Sequence, residues 1–136
     1  MSEHREHLET MLEALDASPL ALRRDACGDS AINGKSGHIY ADGSGFLLYV
    51  HTGESARRWT NVKQRLAFCR LTQDGDDEGC LHLDRLPVAA EADLIREALG
   101  IRKRRHLSDE ELARLTSTLE RARGLYKPAS NSKILP

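Results

Sequence analysis

Aromatic residues make up only 4% of this 136-residue chain, and that scarcity limits how its interior can be filled. Leucine and alanine must do most of the packing, which favours helices laid on a small sheet over a large β-sandwich. Cysteine is scarce too. Cys27, Cys69 and Cys80 are odd in number and show no C-x-x-C spacing, which argues against a disulfide framework or a cysteine zinc site and fits a reducing compartment. No stretch approaches the roughly 18 to 20 apolar residues a membrane-spanning helix needs. The opening MSEHREHLET is charged and lacks the apolar segment of a secretory signal, so the expectation is a cytoplasmic protein. A net charge of -1 supplies no global field for nucleic acid, an anionic membrane or a cationic substrate, and any electrostatic function must be local.

The balance of 40% hydrophobic and 30% charged residues is that of a globular chain, and the length suits one domain. Of the 20 basic residues 15 are arginine, a composition that suits phosphate or carboxylate recognition but that a bias toward arginine codons explains better. Five of the six aromatics, Tyr40, Phe46, Tyr49, Trp59 and Phe68, fall between Gly37 and Leu71, which marks that stretch as the core-forming unit.

Leu8, Met11, Leu12 and Leu15 recur at helical spacing, and Pro19 ends that helix. Residues 20–24 alternate as a short strand at best. Residues 30–33 and 38–41 read as strands closed by NGKSG, with Asn33-Gly34 as the hairpin signal, and DGSG leads on to a third strand over 46–50. A helix over 54–66 points Ala56, Trp59, Val62 and Leu66 inward and carries Arg58, Asn61 and Arg65 on its opposite side. Residues 68–72 and 80–83 form a hairpin about the acidic turn QDGDDEG. The helix opened by Pro87 ends at Gly100, suited to a left-handed cap with Ile101 as its apolar contact. After RKRRH, Ser108 and Glu111 form a capping box, Leu112, Leu115 and Leu119 form a stripe, and Gly124 stops the last helix.

Several motifs fail on spacing. GDSAINGKS contains Gly34-Lys35-Ser36 but has five residues between its glycines where a phosphate-binding loop has four, and strand pattern follows where a helix must open. Residues 74–79 match an EF-hand loop at positions one, three and six, but position twelve is Arg85 rather than glutamate. Cys80 and His82 share one side of a strand and offer ligands with His38 or His51, without the paired spacing of a zinc site. His38, His51 and His82 are candidate bases and Asp42 or Glu54 candidate orienting groups, with no nucleophile elbow or HExxH beside them. His4 and His7 share a helix face and read as surface residues.

The expected fold is α+β: a small antiparallel sheet, a three-stranded meander plus a hairpin, covered by helices in the order α-β-β-β-α-β-β-α-α. One domain spans residues 1–124, with a flexible tail over 125–136. The expected function is a non-enzymatic protein-binding or regulatory module of unknown process that engages a protein partner or itself, without cofactor or metal. The partner-binding residues are Arg57, Arg58, Asn61, Lys63 and Arg65 on one helix and Arg102, Lys103, Arg104 and Arg105 on the linker. The alternative is a nucleic-acid-binding protein using the same segments, 57–65 and 102–105. A small enzyme ranks below both.

Overall fold

Alternation of apolar and polar residues builds the sheet. The computed structural model describes residues 2–105 and 109–126. The chain divides into two compact units, residues 1–104 and 105–136, and each is described by itself. In the first unit the elements run α1 (Ser2–Ala14), a single 3-10 turn (Pro19–Ala21), β1 (Leu22–Arg24), β2 (Ser30–Gly34), β3 (Gly37–Ala41), β4 (Phe46–His51), α2 (Ala56–Arg65), β5 (Arg70–Asp74), β6 (Glu78–Leu83) and α3 (Ala89–Leu99). All strand pairs are antiparallel, in the order β1-β2-β3-β4-β6-β5.

The α+β fold with helices over a small antiparallel sheet is therefore present, with one more strand than expected. Residues 20–24 divide between the 3-10 turn and β1, because Pro19 starts the turn and the Ser18 hydroxyl accepts the Leu20 N–H, which delays the extended chain until Leu22. The hairpin of β5 and β6 does not stand apart either. β6 pairs with β4 over its whole length and joins the meander into one sheet.

Register places Ile32, Ile39, Leu48 and Leu81 in a row across the sheet, flanked by Ala41, Phe46, Val50 and Leu83. These residues form one buried cluster with Leu8, Met11, Leu12 and Leu15 of α1, Trp59 and Val62 of α2, and Ala92, Ile95 and Leu99 of α3, so the three helices cover the same sheet face. Each fully buried leucine or isoleucine contributes about 1.5 to 3 kcal/mol. The opposite face carries Asn33, His38, Tyr40, Leu47, Tyr49, Cys80 and His82.

Several local expectations shift. Ala56, at the first position of α2 after the Ser55 N-cap, is exposed rather than turned into the core. The first hairpin turns at Lys35-Ser36 rather than at Asn33-Gly34, with Gly34 paired to Gly37. Gly34 has no positive φ. Its lack of a side chain matters because a Cβ there would overlap the Leu99 carbonyl and the Ile101 side chain. Gly100 does adopt the left-handed conformation, with φ +68°, and Ile101 is buried beside it.

Beyond Arg105, the described part of the second unit is α4 (Asp109–Tyr126), which runs through Gly124 instead of stopping there. A glycine inside a helix costs only about 1 kcal/mol relative to alanine, too little to end it without a left-handed turn. The capping box at Ser108 and the tail beyond residue 126 lie outside the described residues. Among the described residues no helix is long and apolar enough to cross a membrane.

Candidate functional site

The cationic helix face is built on α2. The Ser55 hydroxyl accepts the Arg58 N–H at 3.2 Å and starts the helix, and Trp59, 1% exposed, anchors it inward. The Trp59 indole N–H donates to Asp74 Oδ1 at 2.8 Å, and Lys63 Nζ reaches the same carboxylate at 2.9 and 3.2 Å. Lys63 also lies 5.4 Å from the Trp59 ring centroid, so its charge is committed to the protein's own structure. Hydrogen bonds from Lys63 first and Trp59 second hold the Asp74 carboxyl below its usual range. On the outward side, Arg58, Asn61 and Arg65 line a hollow of about 180 Å³ with Thr52 and Glu97, and Arg65 pairs with Glu97 at 2.5 Å. Arg57 and Arg58 remain exposed cations.

The second basic segment is a strap. Ser18 N–H donates to the Arg102 carbonyl at 2.8 Å, Arg104 N–H donates to the Asp16 carbonyl at 2.7 Å, and Ala17 bridges Lys103 in antiparallel fashion. The backbone is fixed by these bonds while the side chains stay exposed. Arg104 lines a small hollow with Glu13 and Asp16, and Arg105 falls in the second unit. Arg102 faces a different and larger cleft, of about 600 Å³, where it meets Arg23, Arg24 and Lys35. The predicted basic segments thus line separate hollows, and the structure instead gives Arg102 three partners that sequence reasoning missed. Arg23 and Arg24 were readable only as strand residues and Lys35 only as a turn residue. No spacing links them to position 102.

Asp42 and His82, two of the candidate acid-base groups, do meet. His82 Nε2 is 3.0 Å from Asp42 Oδ2 and 3.4 Å from Ser44 Oγ, and Ser44 donates to Asp42 Oδ1 through both its N–H and its hydroxyl at 3.0 Å. Burial of Asp42 opposes its ionisation, but the Ser44 hydrogen bonds and His82 outweigh it and hold the carboxyl below its usual range. Serine and aspartate engage the same ring nitrogen. A nucleophile relay needs them on opposite nitrogens, so this contact closes the β3–β4 loop onto His82, which is 8% exposed.

His38 and His51 lie on the sheet face opposite α1, α2 and α3 in a ladder with tyrosines: the His38 ring centroid is 5.0 Å from both Tyr40 and Tyr49, and Tyr49 is 5.8 Å from His51. Burial first, then the neighbouring His51 charge, lowers the His38 pKa against the opposing pull of Asp25. The Tyr49 hydroxyl donates to Glu78 at 2.5 Å and the Tyr40 hydroxyl to Asp25 at 3.4 Å. In the acidic turn the Asp77 carbonyl accepts from Thr52 at both its N–H and its hydroxyl. Asp74 and Glu78 are already paired with the protein's own donors. Among the described residues no three His, Cys, Asp or Glu side chains gather as a metal site.

In the second unit, Leu112, Leu115 and Leu119 project from one side of α4 with 52%, 49% and 53% of their surface exposed. Comparison with protein-family models, with curated proteins and with solved structures gave no match.

Proposed function

We propose that the protein is a non-enzymatic protein-binding module that docks through α4, and that a second copy of the same helix is the occupant. The observation that carries this reading is the half-exposed leucine stripe at i, i+3 and i+7. Charge order supports an antiparallel pair: Glu110 lies near the start of the helix and Arg121 near its end, so reversal brings opposite charges to the same end of the pair. Covering the exposed half of each leucine contributes about 1 kcal/mol, roughly 6 kcal/mol across a pair before the cost of association, which predicts a weak contact that depends on concentration.

Light scattering on the full chain over a range of concentrations tests it. The expected result is a reversible dimer that disappears in the Leu115→Glu/Leu119→Glu variant while Trp59 emission stays unchanged. A monomer at every concentration overturns the reading. The nucleic-acid alternative draws on Arg57 and Arg58, which are exposed, but Lys63 and Arg65 of the same helix are already paired with Asp74 and Glu97.

A further inference from the structure

The cleft of about 600 Å³ beside α3 gathers four cations from three separate parts of the chain: Arg23 and Arg24 from β1, Lys35 from the β2–β3 turn and Arg102 from the strap. Its volume falls within the range of small-molecule sites. One carboxylate, Asp25, is also in the lining, and it is engaged elsewhere. Its Oδ1 accepts the N–H groups of Cys27 and Asp29 at 2.9 and 3.0 Å, and its Oδ2 accepts the Tyr40 hydroxyl at 3.4 Å. Among the described residues, Arg24, Lys35 and Arg102 make no ion pair, and Arg23 spends its Nε on the Leu20 carbonyl at 3.0 Å.

Positive charge at the end of α3 has a simpler explanation, because a helix C-terminus attracts cations to its unsatisfied carbonyls. Here three of the carbonyls at that end, those of Arg96, Leu99 and Gly100, are already met by backbone donors. Gly100 and Ile101 N–H turn back onto the Arg96 carbonyl, Ser36 N–H donates to the Leu99 carbonyl at 2.9 Å and Lys35 N–H to the Gly100 carbonyl at 3.2 Å. Backbone donors thus do much of the capping, and in the same hollow the cations repel one another. Their backbones are held: β1 and β2 are paired, Lys35 is bonded to Gly100, and the strap to Ser18. Asn33 donates its amide to the Ala21 and Ala31 carbonyls, which fixes the cleft wall between β1 and β2.

We propose that this cleft binds a small molecule carrying two or more anionic groups, of which a diphosphate is the model. Guanidinium forks suit phosphate oxygens because they offer two parallel N–H donors, and Lys35 adds a point charge. The site is distinct from α4, and its test does not depend on self-association.

Inorganic pyrophosphate titrated into the full chain at constant ionic strength, followed by calorimetry, is the direct probe. The expected result is saturable binding that weakens about tenfold or more in the Arg24→Gln/Arg102→Gln variant, since hydrogen bonds to charged groups are worth that much. It should persist in Arg57→Gln/Arg58→Gln, which removes equal charge from α2. Lys35→Gln, in an exposed turn, gives an independent variant, and the buried Trp59 reports whether each variant is folded. Absence of saturable binding, or equal weakening by both double variants, overturns the proposal. So does tight binding of a short single-stranded oligonucleotide without binding of pyrophosphate, which moves the cleft to the nucleic-acid reading.

Discussion

Gly79 has the appearance of a turn residue in QDGDDEG, yet it sits inside β6 opposite Val50 and Asp74. A Cβ there would run into the Trp59 ring and the Gln73 carbonyl. The indole uses the missing side chain as its seat, which lets its N–H reach Asp74 and keeps Lys63 beside the ring. Gly79→Ala should destabilise the fold by about 3 kcal/mol, the upper end of overpacking costs, because backbone as well as side chain must move. Urea unfolding followed by Trp59 emission measures it, and a change below about 0.5 kcal/mol, the usual size of a harmless surface substitution, means the ring does not rest there. The same residues show how the sequence misleads. The apolar spacing of α2 correctly turns Trp59 inward, but nothing local says that the space it fills is provided by a glycine from another strand.

At the scale of elements, ends are set by short-range chemistry. α3 begins where the Glu91 carboxylate accepts the Val88 N–H at 3.0 Å and is itself held by Arg85 at 2.7 and 2.8 Å. The Arg85 hydrogen bonds first, and the Val88 N–H second, lower the Glu91 pKa from 4.5 to about 2. A carboxylate whose folded pKa is depressed stabilises the protein above its unfolded pKa and loses that contribution as pH falls toward the folded value. Wild type should therefore exceed Glu91→Gln in stability at neutral pH, and the gap should close between pH 4.5 and about 2. Unfolding midpoints of both proteins across that range check the sign, and a gap that widens on acidification counts against the cap. Pro87 and Gly100 made this helix readable in advance. Glu91 was not singled out, because its partner Arg85 precedes the helix and only the folded loop brings the two together.

Among the described residues, the buried cluster of the first unit is built from that unit's own side chains. The buried cluster runs from Leu8 to Ile101, and the strap returns to Asp16 and Ser18 before residue 105. A chain ending at Arg104 is expected to unfold in one cooperative step, with stability within about 0.5 kcal/mol of the full chain, the scale of changes that leave the core intact. Circular dichroism and Trp59 emission during urea unfolding test this. A broad or early transition would place part of the core's support beyond residue 104.

What the sequence determined by itself was the set of elements and their faces. The period of α1, the alternation of β3 and β4 and the cap at Gly100 depend on neighbours a few residues apart, so local physics reveals them. What only the tertiary structure decided was which distant groups meet. The spacing of the basic segments leaves open which other cations Arg102 stands beside, and the strap, bonded to residues 16–18, carries it to Arg23, Arg24 and Lys35. His82 had several candidate partners, and the β3–β4 loop gave it Asp42 and Ser44 on one nitrogen. Strand order, turn position and the close approach allowed at Gly34 make those choices. They depend on segments far apart in the chain, and their information is not written at any one place in it.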